Sequence, residues 1–153
     1  MKKYDKLIFV SNDGTCRGPM AVAAMKSKFL LEDLVIAGKG WVVLFPEPIN
    51  QKAEVVLVSH GLTMKEYMSE QLCEEDFEER TLILTLDEVV KQKIIETHQY
   101  VENVFLLTDY AGHSGEIPNP IGGSLADYGE CFETIEAIIS KLVVILNEQE
   151  LLT

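Results

Sequence analysis

The residues whose types and spacing could do chemistry lie in one short loop near the start of the chain. Residues 11–17 lie between an apolar run at residues 6–10 and a helix-like run that follows Pro19. A sharp turn from strand to helix directs successive backbone N–H groups inward, and Arg17 adds a planar fork of donors that suits phosphate oxygens. The sequence therefore predicts a phosphate-binding loop; the alternative is an ordinary tight connection with a solvent-facing arginine. The predicted binding residues are Asn12, Asp13, Gly14, Thr15, Cys16 and Arg17.

Other groups that could do chemistry are scattered along the chain. The three cysteines contain no C-x-x-C pair, and the three histidines are isolated from one another and from the cysteines. Zinc sites need clustered ligands, so we predict neither a metal site nor a cofactor. An odd number of widely spaced cysteines is typical of free thiols in a cytosolic protein. These side chains are Cys16, Cys73, Cys131, His60, His98 and His113.

The negative net charge of the chain restricts the classes of molecule that it is expected to bind. The chain has 153 residues, with 13 lysines and arginines against 25 aspartates and glutamates, which gives a formal net charge of -12. Nucleic acids are bound by basic surfaces, so a nucleic-acid partner is not expected. The sequence has no secretory leader pattern and no uncharged run long enough to span a bilayer. We therefore expect a cytoplasmic protein without a membrane contact, whose oligomeric state the sequence does not define.

Strand-like and helix-like segments alternate along the chain. Strands are predicted at residues 6–10, 34–36, 81–85 and 104–107. Helices are predicted from Pro19 to about Leu31, at 51–59, at 63–72, at 87–97 and from a capping box at 124–127. The buried side of the helix at 87–97 is predicted to carry Val89, Val90, Lys93 and Ile94. Residues 38–40 are expected to be flexible. The alternation implies βαβ crossovers and thus an α/β fold: one three-layer αβα domain over residues 1–153, with a four-stranded parallel sheet.

The predicted sheet should gather the site at one edge. Ligands of parallel sheets lie beyond the carboxyl ends of the strands, which is where residues 11–17 fall. The Gly- and Pro-rich loop at 108–123 is long and could act as a lid. We therefore expect Asn119 to reach the same edge as Arg17.

Two motifs are similar to those of the low-molecular-weight protein-tyrosine-phosphatase family. Active members carry C-x-x-x-x-x-R-S-P at this strand-to-helix turn and an Asp-Pro-aromatic loop before the last helix. Here residues 11–19 read SNDGTCRGP and residues 117–123 read IPNPIGG. The Leu-Asp-Glu turn at 86–88 and the Gly-Gly-Ser at 122–124 also match. The resemblance covers essentially the whole chain and implies the family's fold and its phosphomonoester hydrolysis.

The resemblance also implies catalytic roles for three positions, and at two of them this sequence lacks the residue that active members have. It places a nucleophile at position 11, a phosphoryl clamp at Arg17 and a general acid at position 119. Ser11 stands where active members have cysteine, and an alcohol, a far weaker acid than a thiol, needs an adjacent base. Asn119 stands in place of aspartate and has no proton to give to a leaving alkoxide. General-acid help of roughly 10²–10⁴-fold should therefore be missing.

Supporting positions differ as well. Gly14 aligns with a family asparagine, Gly18 with the serine that helps to stabilise the thiolate, and Gly38 with another supporting serine. This coordinated loss favours natural divergence over a single engineered change, although Ser11 alone could be engineered.

Further residues near the loop refine the hypothesis. Asp13 could point inward and repel a phosphate dianion, or point outward and cap the following helix, and capping is the preferred interpretation. Cys16 is interpreted as a packed or redox-active thiol rather than a nucleophile. Thr15 matches the arginine-phosphatase branch of the family. Ile121 replaces an aromatic that stacks on phosphotyrosine, and Trp41 is the nearby candidate for another substrate wall.

Three functions remain open from the sequence. The preferred hypothesis is a phosphatase-like protein that binds phosphate or a phosphorylated small molecule or protein, with weak or absent hydrolysis. The alternative is an active phosphotyrosine or phosphoarginine phosphatase whose cysteine was changed to Ser11. In the third, the loop binds no anion, and the acidic face that carries Trp41 contacts a protein partner.

Overall fold

A four-stranded parallel sheet forms the centre of the molecule, as predicted. The computed structural model describes residues 3–31 and 33–152. Its strands are β1 (Lys6–Ser11), β2 (Val35–Gly40), β3 (Thr81–Thr85) and β4 (Val104–Leu106). They lie in the order β2-β1-β3-β4, so that β1 has a strand on each side.

The first strand is buried on both faces. Leu7 and Phe9 belong to one apolar cluster, whereas Ile8 and Val10 belong to the other, and all four side chains have 0% exposure. A parallel strand that is covered on both faces needs apolar side chains at every position. This explains why residues 6–10 show a continuous apolar run without alternation.

Helices cover both faces of the sheet. The described residues form α1 (Arg17–Lys26), α2 (Gln51–Ser59), α3 (Glu88–Thr97), the single turn α4 (Leu107–Tyr110) and α5 (Leu125–Leu152). Helices α1, α2 and α5 contact one another on one face. On the other face, Val90 and Ile94 of α3 pack in the cluster that contains Ile8 and Val10. The layers are therefore those of the predicted αβα fold.

No helix in the described part of the chain is long and apolar enough to cross a membrane.

Two predicted helix starts are confirmed by their caps. The Asn50 side chain accepts hydrogen bonds from the N–H groups of Lys52 and Ala53 at the start of α2. At the start of α5, the Asp127 N–H donates to Ser124 Oγ and the Ser124 N–H donates to Asp127 Oδ2. Such reciprocal bonds satisfy N–H groups that a helix leaves free at its first turn.

The helix predicted at residues 63–72 is wrong. This segment is irregular, with single bridges from Met68 to Pro48 and from Gln71 to Gly40. Ser69 exchanges bonds with the backbone of Glu47, and the Gln71 amide donates to the backbone around residues 40–41. These contacts with distant backbone outweigh the weak helix preference of the segment. The flexible stretch expected at 38–40 is also wrong, because these residues complete β2.

Two helix details also differ from the prediction. Helix α1 ends at Lys26 rather than near Leu31, since both the N–H and the hydroxyl of Ser27 donate to the Ala24 carbonyl and close the last turn. In α3, only Val90 and Ile94 are buried, whereas Val89 is 62% exposed and Lys93 is exposed. One side of α3 meets the sheet, and the buried stripe is correspondingly narrow.

The buried hydroxyl of Thr85 gives a stability prediction. Thr85 has 0% exposure, and its Oγ1 has no hydrogen-bond partner among the described residues. A buried polar group without a partner costs about 1–3 kcal/mol. We expect Thr85→Val, which keeps the shape and removes the hydroxyl, to raise the free energy of unfolding by about 1 kcal/mol in chemical denaturation.

Thr85→Ser is the matched control for this prediction. It keeps the hydroxyl and removes the methyl group, so it should lower the free energy of unfolding. A loss of stability in Thr85→Val would show that the hydroxyl is hydrogen bonded in solution.

Candidate anion-binding site

The predicted phosphate-binding loop lies at the carboxyl edge of the sheet. β1 ends at Ser11 and α1 begins at Arg17, so residues 11–17, here called the anion loop, connect a strand directly to a helix. The end of β2 supports one side of it: the Trp41 N–H donates to the Ser11 carbonyl and the Val42 N–H donates to the Asn12 carbonyl, each at 2.9 Å. The loop is therefore held in place by backbone that follows the neighbouring strand.

Close backbone packing shapes the middle of the loop. A Cβ atom on Gly40 would lie 2.7 Å from the backbone carbon of Asp13, so only glycine fits at this point of β2. Gly14 has φ of 76°, a left-handed conformation that glycine adopts at little cost. The two glycines allow the anion loop to lie directly against β2.

Tyr67 holds the loop from the segment that was predicted to be helical. Its hydroxyl donates to the Gly14 carbonyl at 2.6 Å. The same hydroxyl lies 3.2 Å from where a Cβ of Gly38 would be, so it uses space that a side chain at position 38 would need. Tyr67 therefore supports the loop at Gly14 and fills space beside Gly38 of β2, the two positions where the resemblance implies asparagine and serine. Sequence reasoning missed this residue, because a lone tyrosine in a polar segment carries no local signal.

The Ser11 hydroxyl lies at the base of the loop. Ser11 is 4% exposed, and its Oγ accepts a hydrogen bond from the Gly14 N–H at 3.1 Å. A Cβ on Gly18 would lie 2.9 Å from this oxygen. Within the described residues, no histidine, lysine or carboxylate is hydrogen bonded to the Ser11 hydroxyl. The position suits a nucleophile, but the structure provides no base to activate an alcohol.

The backbone N–H groups of the loop are only partly used within the protein. Gly14 donates to Ser11, and Thr15 donates to Asp13 Oδ1 at 3.1 Å. Ser11 belongs to β1, and the N–H groups of the remaining four loop residues have no acceptor among the described residues. They belong to Asn12, Asp13, Cys16 and Arg17. Convergent free N–H groups at a helix start are the usual protein donors for a bound anion.

Asp13 does not cap α1, so the preferred interpretation of this residue is wrong. The N-cap position is Cys16, and no side chain caps this helix. Instead, Asp13 Oδ1 accepts bonds from both the N–H and the hydroxyl of Thr15, the latter at 2.9 Å. The carboxylate is therefore bound to the loop itself, where it forms a local turn.

Arg17 is held by an acidic partner that sequence reasoning missed. The side chain is 9% exposed, and Nη2 donates to Asp87 Oδ2 at 2.8 Å. Asp87 follows β3, and its other carboxylate oxygen accepts from the Val90 N–H and caps α3. The second guanidinium nitrogen lies 3.5 Å from the Ile117 carbonyl. Asp87 thus links the arginine to the start of α3, and its place after a neighbouring strand was the available signal.

A cavity of about 390 Å³ brings Arg17 and Asn119 together. It is also lined by three carboxylate residues, Asp87, Glu88 and Glu116. Asn119 is exposed, and its Oδ1 accepts from the Ile121 N–H at 3.3 Å. Because Asn119 and Arg17 line the same cavity, the loop at 108–123 lies at the edge of the sheet near Arg17, where it was expected. The carboxylates make the cavity wall attractive to a positively charged group.

The two candidate substrate walls lie in different environments. The Trp41 ring packs against the apolar cluster on the α3 side, with its centroid 6.5 Å from that of His98. Ile121 is 55% exposed and lines a second cavity, which shares Asn119 with the first but does not include Arg17. Exposed apolar side chains also follow Trp41 directly, with Leu44 at 88% and Phe45 at 62%. Sequence reasoning assigned these two residues no role, although the apolar run at 41–45 was visible.

The buried thiols are unreactive at neutral pH. Burial raises the pKa of Cys16 to about 12 and that of Cys131 to about 11. Both therefore remain protonated thiols, and neither can serve as the thiolate nucleophile. This agrees with the interpretation of Cys16 as a packed residue.

Alkylation of the native protein tests this protection. We expect iodoacetamide at pH 8 to modify Cys73 slowly, because it is exposed although a hydrogen bond with Glu75 raises its pKa, while Cys16 and Cys131 react only after denaturation. Peptide mass spectrometry would locate the adducts. Rapid native labelling of Cys16 would contradict the raised pKa and reopen its candidacy as a nucleophile.

Comparison with known proteins gives a consistent result over almost the whole chain. The family model described as "Low molecular weight phosphotyrosine protein phosphatase" matches residues 6–151. A relative is the low molecular weight protein-tyrosine-phosphatase PtpB of Staphylococcus haemolyticus, which is 29% identical over 137 residues. This alignment covers 90% of the present chain and 96% of the relative.

Solved structures agree in fold. The YwlE arginine phosphatase from Geobacillus stearothermophilus superposes with a TM-score of 0.88 at 26% identity, covering 95% of both chains. A Cys-to-Ser mutant of the YwlE arginine phosphatase, described as carrying a phosphorylated active-site serine, superposes with a TM-score of 0.84 at 29% identity. That alignment covers 92% of the present chain and 95% of the mutant.

Proposed function

Because this chain belongs to the low molecular weight phosphotyrosine protein phosphatase family, we propose that it binds phosphate or a phosphomonoester in the anion loop and hydrolyses it slowly or not at all. The whole chain would act as one phosphatase-like domain. Its natural ligand would be a phosphorylated protein or small molecule in the cytoplasm, without nucleic acid or a membrane as partner.

One observation carries the binding half of this proposal. Four loop N–H groups, those of Asn12, Asp13, Cys16 and Arg17, lack an acceptor within the described residues. Those of Cys16 and Arg17 lie at the start of α1, where the helix dipole favours negative charge. The nearby Arg17 guanidinium supplies charge-assisted bonds once it reorients toward the ligand. Phosphate offers enough oxygens to accept bonds from several of these donors at once.

The chemistry of three side chains supports weak hydrolysis. Ser11 has no bonded base within the described residues, so its hydroxyl is a poor nucleophile. Asn119 shares the cavity with Arg17 but cannot protonate a leaving group. The raised pKa of Cys16, about 12, leaves no thiolate to replace the missing cysteine. The groups for binding are thus retained in the sequence while those for turnover are absent.

Phosphoryl transfer to Ser11 is a second candidate function. The phosphorylated active-site serine of the YwlE mutant favours it, because that protein carries serine and still superposes on this chain. The bond from Ser11 Oγ to phosphorus would form as the bond to the leaving group breaks, and the hydroxyl proton would pass to solvent. Without a general acid or base, the resulting phosphoserine would hydrolyse slowly.

The cavity wall favours phosphoarginine over phosphotyrosine in that case. Asp87, Glu88 and Glu116 line it, and no aromatic side chain does so among the described residues. A guanidinium leaving group would be attracted by carboxylates, whereas a phenol ring would find no stacking partner. Thr15 also favours phosphoarginine, because threonine at this position matches the arginine-phosphatase branch of the family.

Two measurements on the unmodified chain test the proposal. Phosphate and vanadate should each raise the thermal midpoint, since a ligand at about 100 times its Kd stabilises the folded state by about 2.7 kcal/mol. Hydrolysis of a generic aryl phosphate should stay near background. Turnover as fast as that of active family members, and lost in Arg17→Ala, would overturn weak hydrolysis. Unchanged midpoints with both anions would overturn binding and favour the protein-partner hypothesis.

Intact-mass spectrometry separates the second candidate from the first. After incubation with phosphoarginine or an aryl phosphate, phosphoryl transfer predicts the added mass of one phosphoryl group on the unmodified chain. The Ser11→Ala variant should gain none. Binding without transfer predicts no added mass in either protein.

A further inference from the structure

We infer that Asp13 sets the charge selectivity of the anion loop: its carboxylate competes with the ligand for the Thr15 donors, so the loop discriminates against doubly charged anions relative to singly charged ones. This inference rests on the proposed anion binding and refines its substrate class toward singly charged phosphoryl groups.

The competition follows from the bonds that Asp13 makes. Its Oδ1 accepts from the Thr15 N–H at 3.1 Å and from the Thr15 hydroxyl at 2.9 Å. The Thr15 N–H is a backbone donor of the anion loop, and the carboxylate occupies it as a ligand oxygen would. An incoming anion must either displace this carboxylate or bind beside it.

The fixed charges around the loop make a second negative charge costly. Arg17 is the cation of the loop, and its Nη2 is already bonded to the Asp87 carboxylate at 2.8 Å. The one guanidinium of the loop is thus already paired with the Asp87 carboxylate, and Asp13 adds a second carboxylate within the loop itself. A singly charged ligand gains hydrogen bonds from the free N–H groups and is repelled by Asp13 only weakly. The repulsion between Asp13 and a dianion at the same place is twice as large, because it is proportional to the ligand charge.

The Asp13 charge reaches groups beneath the loop as well. Burial raises the pKa of Cys16 to about 12, and the Asp13 carboxylate adds to this rise. Burial, followed by the charges of Glu70 and Asp13, also raises the pKa of Tyr67. Both residues lie within or against the anion loop, so the carboxylate acts on the space in which an anion would bind.

Two ligands that differ in charge and do not titrate near neutral pH provide the test. Sulfate is a dianion and methanesulfonate a monoanion, and both present tetrahedral sulfur with terminal oxygens. Their Kd values would be measured by calorimetry or thermal shift at constant ionic strength, since exposed charges are screened by salt. The measured quantity is the ratio of the Kd for methanesulfonate to the Kd for sulfate.

Asp13→Asn is the decisive variant, because asparagine keeps an oxygen acceptor for Thr15 and removes the charge. Unit charges about 4 Å apart interact strongly even at an effective dielectric of about 20, and exposure weakens this. We therefore expect the ratio to rise at least roughly tenfold in Asp13→Asn. Asp13→Gly, which also frees the Thr15 N–H, should bind both anions more tightly.

Asp33→Asn is the matched control. It removes one exposed aspartate charge just before β2, at the opposite end of that strand from the anion loop. Its ratio should equal that of the unmodified chain. A rise of the same size in Asp33→Asn would overturn a local role for Asp13.

The possible failures are distinguishable. If the unmodified chain and its variants bind these anions but the ratio changes less than about twofold in Asp13→Asn, the inference is wrong and anion binding stands. If neither the unmodified chain nor any variant binds sulfate, methanesulfonate or phosphate, anion binding itself is overturned, and the inference with it. The thermal midpoint of ligand-free Asp13→Asn should match that of the unmodified chain, because the hydrogen-bond acceptor is retained.

Discussion

Replacing Arg17 with methionine should abolish the thermal stabilisation by phosphate that the proposed anion binding predicts. Methionine fills much of the same volume but cannot donate a hydrogen bond. Two hydrogen bonds to a charged ligand are together worth about 3 kcal/mol, or roughly a 100-fold change in affinity. Titration of the thermal midpoint with phosphate measures the loss. Arg17→Lys should lose part of the affinity, because lysine retains the charge without the planar fork.

The same substitution should also weaken the fold, which calls for a control. Without Arg17, the Asp87 carboxylate loses its partner, and its side chain is only 29% exposed. We expect a loss of about 2 kcal/mol, below the range for fully buried pairs. The double variant Arg17→Met with Asp87→Asn removes the unpaired charge and keeps an oxygen to cap α3. It should recover stability without recovering phosphate binding.

A contrary outcome for Arg17 would be clear. If the double variant is as stable as the unmodified chain and still gains the full phosphate shift, the arginine does not hold the anion. The free N–H groups of the loop would then suffice for binding.

Restoring both missing chemical groups should create hydrolysis of aryl phosphates. In Ser11→Cys, the sulfur would lie above Gly18, which has no Cβ to obstruct it. The Gly14 N–H, which now donates to Ser11 Oγ, and the free loop N–H groups would favour the thiolate. Adding Asn119→Asp supplies a proton donor in the cavity that Arg17 lines, and general-acid help contributes about 10²–10⁴-fold. We expect the double variant to exceed the unmodified chain by at least roughly 100-fold.

Ser11→Ala with Asn119→Asp is the matched control for this gain. It carries the acid but no nucleophile, and its hydrolysis should remain at background. If Ser11→Cys with Asn119→Asp is no faster than this control, the loop does not position a thiol for attack. That result would mean that the site has diverged in geometry as well as in side-chain chemistry. The rate of this double variant should stay below that of active family members, because the serine that helps to stabilise their thiolate is absent at position 18. A side chain there would lie directly beside the attacking atom, since a Cβ on Gly18 would be 2.9 Å from Ser11 Oγ.

Local pattern was enough to predict most of the fold and to indicate residues 11–17 as the candidate site. The apolar run at 6–10 followed by a polar turn and Pro19 located β1, the anion loop and the start of α1. Caps such as Asn50 and the box at 124–127 were readable because they act over three or four residues. The chemical departures at Ser11 and Asn119 were likewise visible, since they need only the motif and its residue types.

The predictions from sequence are wrong where residues far apart in the chain determine the local conformation. The segment at 63–72 has acceptable helix formers, yet its side chains bond to backbone more than twenty residues away, at Gly14, Glu47 and Trp41. Local preference cannot anticipate such partners. Trp41 follows β2 directly, but its ring packs with the apolar cluster on the α3 side, near His98.

The sequence by itself determined that residues 11–17 connect β1 to α1 and that serine and asparagine stand at positions 11 and 119, because these properties belong to residue types and short spacings. Only the tertiary structure decided which side chains of the protein are already hydrogen bonded to the residues of the loop. Arg17 is bonded to Asp87, seventy residues away, and Tyr67 supports Gly14 from a segment fifty-three residues further along. Asp13 turns back onto Thr15 instead of capping the helix. Such pairings depend on which chain segments the sheet brings to one edge, and no local pattern contains that information.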